Sequence, residues 1–266
     1  MDAKWLGGIT MKKERILNIT GGVNFRELGG YPTKDGKTIK WQKLLRSGDL
    51  SRLTEKDVKN LADYGLHYDI DLRSPSEASW LQDRLPEDTI YRSYPVYPIA
   101  KNDESDLPPL PDKPESTDYS HPYALMILNP QSQLAFRTMF QDLLANSAPQ
   151  KSLLFHCAAG KDRTGVAGFL ILSALGVDYA TIKQDFVLTN LVYSTMDQDG
   201  LRKQLQNDKA ASFVNKMNTV FQVQGDTLDI AKQAIMDNYG DYETYFDQAM
   251  GLSKSDLDAL KKICLE

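Results

Sequence analysis

The sequence predicts an α/β fold: a mostly parallel central sheet of four to five strands flanked by helices, with a helical C-terminal elaboration. Three observations carry this. Short strand patterns and amphipathic helix patterns alternate through residues 38–175, the signature of parallel strands joined by helices. Residues 151–155 read as a buried strand that runs through a small-residue loop into a very apolar helix at 164–175, and a helix apolar all round belongs in an interior. Past residue 178, helical periodicity continues without strand signals.

The 266-residue length suits one domain, placed at 16–266, after an N-terminal extension at 1–15. Hydrophobic content of 41% and charged content of 25% are those of an ordinary globular protein. A net charge of −5 argues against a general nucleic-acid binder but leaves room for one local positive pocket. Two cysteines, Cys157 and Cys264, are too few for a disulfide framework. No apolar run is long enough for stable membrane insertion. As written the chain reads as cytoplasmic, or secreted if a leader has been removed. Residues 1–10 read as an added or variant extension, or as the scar of a replaced leader.

Taken in order, Asp35-Gly36 signals a hairpin turn whose second strand is 38–41. Arg26 and Arg46 flank this segment and, taken alone, read as surface or structural arginines. Thr54 is a good N-cap, with acidic residues in the first turn of a helix that stops at Gly65. Residues 66–72 form a strand ending in Asp71-Leu72-Arg73-Ser74-Pro75. Ligands gather at the carboxyl ends of strands in open α/β sheets, so Asp71 and Arg73 are pocket candidates. A helix cap with a structural ion pair explains them equally well. Residues 76–85 look helical and 89–95 extended. Residues 98–122 form a proline-rich irregular loop, placed near the mouth of the site. Residues 123–146 are mostly helical. After the apolar helix come 178–223, with a break near Asp199-Gly200, then helices at 226–238, 243–250 and 253–263. The last has Ser253 as its cap and Asp256 at the capping-box position.

The chemistry concentrates in His156-Cys157-Ala158-Ala159-Gly160-Lys161-Asp162-Arg163-Thr164-Gly165. Five residues separate Cys157 from Arg163. Successive backbone N–H groups over such a loop, opening a helix, can curl around a tetrahedral oxyanion such as phosphate or vanadate. Ala158, Ala159 and Gly160 are small enough for close approach, and the planar Arg163 fork can grip two phosphoryl oxygens. The same field lowers a thiol pKa from its free value of ~8.5, so Cys157 becomes a thiolate nucleophile. His156 is expected to hydrogen-bond loop backbone, and Thr164 to donate its hydroxyl to the thiolate. Lys161 adds positive charge, unless it is a solvated surface lysine. The leaving oxygen needs a proton donor. Asp162 is the nearest candidate, with Asp71, Asp103, Asp106, Asp112 and Asp118 as alternatives. No cofactor or metal is called for.

This loop resembles the signature of the Cys-based protein tyrosine phosphatase superfamily. The Gly-Lys-Asp-Arg-Thr-Gly form is similar to an atypical bacterial and fungal group of tyrosine-specific phosphatases. Asn24-Phe25-Arg26-Glu27-Leu28-Gly29-Gly30, Arg46-Ser47-Gly48, Asp71-Leu72-Arg73-Ser74 and the Gly251-Leu252-Ser253 helix extend the likeness over most of the chain. The resemblance implies a phosphatase II-like sheet and metal-free hydrolysis of phosphotyrosine, with phosphoserine, phosphothreonine or phosphoinositides as further substrates in some members. It implies Cys157 as nucleophile, Arg163 as phosphate binder, Asp162 as acid and Asp71 facing the site. Lys161 resembles the extra phosphate contact of phosphoinositide phosphatases. The chain departs from ordinary tyrosine phosphatases in lacking a Trp-Pro-Asp loop, which leaves the acid open, and 190–225 is a candidate helical lid. Sulfur transfer does not require Arg163-Thr164, arsenate reduction calls for further redox cysteines, and a non-catalytic binder would not need the nucleophile.

Overall fold

The structure is a computed structural model and describes residues 14–17, 19–97, 121–195 and 225–266. The strands are β1 (Arg26–Glu27), β2 (Leu44–Ser47), β3 (Leu66–Asp71), β4 (Ile90–Ser93) and β5 (Ser152–His156). They form one five-stranded sheet in the order β1-β2-β5-β3-β4. β1 runs antiparallel to β2, and the other three pairings are parallel. The fold is therefore the α/β class expected. Among the described strands β5 is last in sequence and central in space. Ser47 and Asp71 both lie level with His156. The chain segments leaving β2, β3 and β5 consequently emerge side by side at one edge, where an open parallel sheet gathers its ligands.

Both faces of the sheet are covered, as a parallel sheet requires. The side chains of β5 alternate. Leu153 and Phe155 enter the larger core with Phe136, Phe140 and Phe169, whereas Leu154 enters a smaller one with Leu45, Leu61 and Tyr64. Each such side chain, fully buried, contributes about 1.5–3 kcal/mol. The smaller core is roofed by α1 (Glu55–Tyr64), which begins with a Thr54–Asp57 capping box. It ends at Gly65, whose φ of 95° and contact with the Gln150 backbone exclude a side chain.

Among the described residues the remaining helices are α2 (Pro75–Trp80), α3 (Pro122–Leu128), α4 (Pro130–Ala145), α5 (Asp162–Ala174), α6 (Tyr179–Thr195), α7 (Gly225–Tyr239), α8 (Tyr242–Gln248) and α9 (Lys254–Cys264). Several boundaries differ from the sequence reading. The 123–146 helix is two helices, because Asn129 caps α4 and Pro130 cannot donate to the preceding turn. The helix expected at 76–85 stops at Trp80. The Asp35-Gly36 turn is flanked by isolated bridges rather than by strands, with Thr38 paired to Pro32 and Ile39 to Leu265. α9 has the expected Ser253–Asp256 capping box. The break near Asp199-Gly200, nearly all of the 98–122 loop and most of the 190–225 lid lie outside the described residues, as does residues 1–13 of the extension.

Candidate active site

Cys157 follows β5 directly, and the loop it opens closes at Asp162, the first residue of α5. From Cys157 to Thr164 every residue is buried except Asp162, which is partly exposed. The carbonyls of Ala158, Ala159 and Gly160 accept hydrogen bonds from donors outside the loop. Asp49 N–H donates to Ala158 O at 3.0 Å. The Asn24 side-chain amide donates to Gly160 O at 2.7 Å and to Ala159 O at 3.5 Å, and the Arg46 guanidinium reaches Gly160 O at 3.2 Å. With these carbonyls engaged from outside, the amides of Lys161 and Thr164 hydrogen-bond the Cys157 sulfur, an arrangement suited to an anion nest. Gly160 has φ 64°, and a Cβ there would strike the Ser47 backbone, so only glycine fits.

Asn24 itself adopts a left-handed φ of 54°, a conformation asparagine tolerates better than most residues. Arg26 and Arg46, opposite each other on β1 and β2, are not surface arginines; both are fully buried. A single carboxylate joins them. Asp185 of α6 receives Arg26 Nε at 3.1 Å and Arg46 at 2.7 Å, and Tyr31 donates its hydroxyl to it at 3.0 Å. Burial would raise the Asp185 pKa, but the two guanidinium groups pull it down to about 2. Burial and the neighbouring Arg26 charge bring Arg46 down to about 10.

Burial also opposes ionisation of Cys157, yet its thiol pKa lies below the ordinary value. The Arg163 charge, the Thr164 hydroxyl and the amides of Thr164 and Lys161 together outweigh the desolvation. Arg163 is in turn gripped by Glu77 of α2, with both nitrogen–oxygen distances 2.6 Å. Glu77 also accepts the Ser74 N–H at 2.8 Å as the capping-box partner of α2, so the helix cap and the arginine clamp share one side chain. Lys161 is 5% exposed, which sets aside the solvated-lysine reading. The Tyr123 hydroxyl of α3 donates to Asp162 Oδ1 at 2.5 Å.

His156 takes a different partner from the one expected. Its ring points away from loop backbone into a carboxylate cage, with Nε2 3.4 Å from Asp69, 3.5 Å from Asp83 and 3.8 Å from Asp71. Burial would lower its pKa, but the three carboxylates raise it well above the usual imidazole value. Asp69, itself pushed up by burial to about 6, shares this charge. Asp69, Asp83 and His156 place their ligand atoms within 4.8 Å of one another, the metal-like grouping found among the described residues. Arg73, paired with Asp71 and Asp83, already supplies positive charge there.

Asp71, the other candidate acid of the described residues, lies in an ion-pair network. Arg73 holds it through Nε at 2.8 Å and a terminal nitrogen at 2.7 Å, and the Tyr91 hydroxyl donates to it at 3.0 Å. Burial raises its pKa, but His156 and Arg73 together take it down to about 2. Asp103, Asp106, Asp112 and Asp118 lie outside the described residues. Cys264 is buried, and burial raises its thiol to about 11, leaving it inert.

Glu77, Asp185 and Tyr123 did not stand out in the sequence. The Ser74-Pro75-Ser76-Glu77 capping box is readable, but its reach to Arg163 is a tertiary fact. Asp185 lies within a helical pattern, and nothing local marks a buried partner for two arginines.

A cysteine loop at the carboxyl end of the central strand of a parallel sheet, closed by an arginine at the start of the next helix, is the layout of a Cys-based phosphatase. Comparison with known proteins specifies the family: the model of the tyrosine phosphatase family matches residues 17–266. The chain belongs to that family, and it is an enzyme of the protein-tyrosine phosphatase class. It is 27% identical to a Cupriavidus necator protein named "Putative tyrosine-protein phosphatase", over 88% of this chain and 84% of the relative. It is 33% identical to a tyrosine-protein phosphatase of Nostoc commune, over 54% of this chain and 47% of the relative. It is also 25% identical to the triple specificity protein phosphatase PtpB of Mycobacterium tuberculosis, over 94% of this chain and 99% of the relative.

Proposed function

We propose that this chain hydrolyses phosphotyrosine monoesters at Cys157 in two steps. The observation that carries the reading is the buried Cys157 thiol, held below its ordinary pKa beside an arginine that Glu77 locks in place. In the first step the thiolate attacks phosphorus. The sulfur–phosphorus bond forms as the bond to the tyrosyl oxygen breaks, and Asp162 gives its proton to that oxygen. The amides of Ala158 to Arg163 and the Arg163 fork stabilise charge on the equatorial oxygens. In the second step water attacks the cysteinyl-phosphate, Asp162 takes the proton back, and Thr164 stabilises the departing thiolate.

Asp162 is favoured as the acid by its position. It is the partly exposed carboxyl of an otherwise buried loop, and the Asp71 carboxylate is spoken for. Substrate breadth is the finer question. The name of the Mycobacterium tuberculosis relative includes triple specificity, and Lys161 adds a cation to the loop, so phosphoserine, phosphothreonine and phosphoinositides belong among the substrates tested.

Cys157→Ser is expected to lower aryl phosphate turnover by about 10³-fold or more while sparing vanadate binding. Near-full turnover would contradict the mechanism. Turnover measured in parallel on phosphotyrosine peptide, phosphoserine peptide and phosphoinositide assigns the breadth. The account expects phosphotyrosine to lead, and equal phosphoserine turnover would overturn that preference.

A further inference from the structure

Tyr123 has no place in the two steps above, yet its hydroxyl lies 2.5 Å from Asp162 Oδ1. Its ring is 5% exposed and is held edge-on against Phe186, with centroids 6.1 Å apart. Phe186 in turn packs on Gly165, where a Cβ would meet the ring at 2.5 Å. The clamp thus ties α3 and α6 to the first turn of α5, the turn that carries Asp162. At the other end of the tyrosine, His121 caps α3 and Pro122 opens it, which fixes the backbone under the ring.

We propose that Tyr123 is the positioning residue for the Asp162 acid, fixing one carboxyl oxygen so that the transferable proton resides on the other. This rests on the phosphatase reading with Asp162 as acid.

The direction of the hydrogen bond follows from the surroundings. Burial holds the Tyr123 hydroxyl well above the usual phenol range. Tyr123 therefore keeps its proton and donates. The bond strengthens as Asp162 loses its own proton to the leaving oxygen, because donation to a carboxylate is stronger than to a neutral acid. Tyr123 thus favours the transition state over the ground state, which is what accelerates the chemical step. In the second step the same bond holds the carboxylate while it accepts the proton from water. No proton leaves Tyr123 in either step.

A positioning role through the acid differs from a merely structural one in its dependence on the leaving group. The test compares Tyr123→Phe with the parent on phenyl phosphate, whose leaving group needs protonation, and on nitrophenyl phosphate, whose leaving group departs with little help. The expected result is a loss of kcat of about tenfold on phenyl phosphate and a much smaller loss on nitrophenyl phosphate, at unchanged melting temperature within a few degrees. In an Asp162→Asn background, the further change Tyr123→Phe should cost nothing on either substrate. An equal loss on both substrates, or an undiminished loss without Asp162, overturns the proposal. A parent protein that turns over neither substrate contradicts the phosphatase reading itself, and Asp162→Asn with full phenyl phosphate turnover removes Asp162 as the acid. The two failures are thereby told apart.

Discussion

Glu77 meets Arg163 through both carboxylate oxygens, and the pair is buried. A guanidinium that must grip phosphate is held in advance by an anion that cannot leave, which pre-organises the fork. Glu77→Ala should cost about 3–5 kcal/mol of stability, because Arg163 is left buried and unpaired. Vanadate should restore part of the lost melting temperature, since the oxyanion supplies a partner for Arg163. An unchanged melting temperature, or one indifferent to vanadate, contradicts this role. The pairing was illegible in the sequence, where Glu77 is simply a capping-box acid. The roles of Cys157, Arg163 and Thr164 are legible as expectations because strand, small-residue loop and helix follow one another in the chain and resemble a known signature. His156 shows the limit of such reading: its ring partners come from β3 and from Asp83, not from the loop.

At the scale of elements, the loop is shaped by what lies outside it. The end of β2 and the turn at Asn24 fasten its carbonyls, and α6 holds the arginines of β1 and β2 through Asp185. Gly160→Ala forces a left-handed residue to carry a Cβ into the Ser47 backbone. Vanadate affinity should fall about tenfold or more, as a strain of about 1–3 kcal/mol is relieved by moving the loop. Unchanged affinity would mean that the amide ring tolerates displacement. Asp185→Asn leaves two buried guanidinium groups side by side and should lower stability by about 3–5 kcal/mol, read as a shift of the denaturant midpoint. The helices themselves were largely legible, since Thr54, Ser253 and the apolar run of α5 are local signals. The split at Asn129-Pro130 was missed because apolar periodicity runs across it, although the proline was there to read.

For the whole molecule, the sheet order puts β5 at the centre and brings three strand ends level, so site and core share a wall. Alternating strands and helices announced the class, but β5 returning between β2 and β3 is a matter of topology, which no local pattern encodes. The same dense packing buries acids far from the loop. Glu27, fully buried, is pushed up to about 7 by desolvation, against hydrogen bonds from Tyr64, Gly29 and Gln42. The folded chain therefore keeps this proton to higher pH than the unfolded chain does. The stability it contributes is full below the unfolded value of about 4.3 and is lost as pH climbs through about 7. Glu27→Gln should flatten the decline of melting temperature across that window; an unaltered slope would show that other groups set it. Asp185, depressed to about 2, acts in the opposite sense, its stabilisation present above about 4 and lost only as pH falls toward 2.

The central claim is that phosphate passes through the sulfur of Cys157, and trapping that intermediate tests it most directly. The protein is mixed with a phosphotyrosine peptide, quenched in acid within the first turnover, digested and mapped by mass. The account predicts a phosphate adduct on the peptide carrying Cys157, absent from Cys157→Ser. An adduct on another residue, or turnover that proceeds in Cys157→Ser, would contradict it.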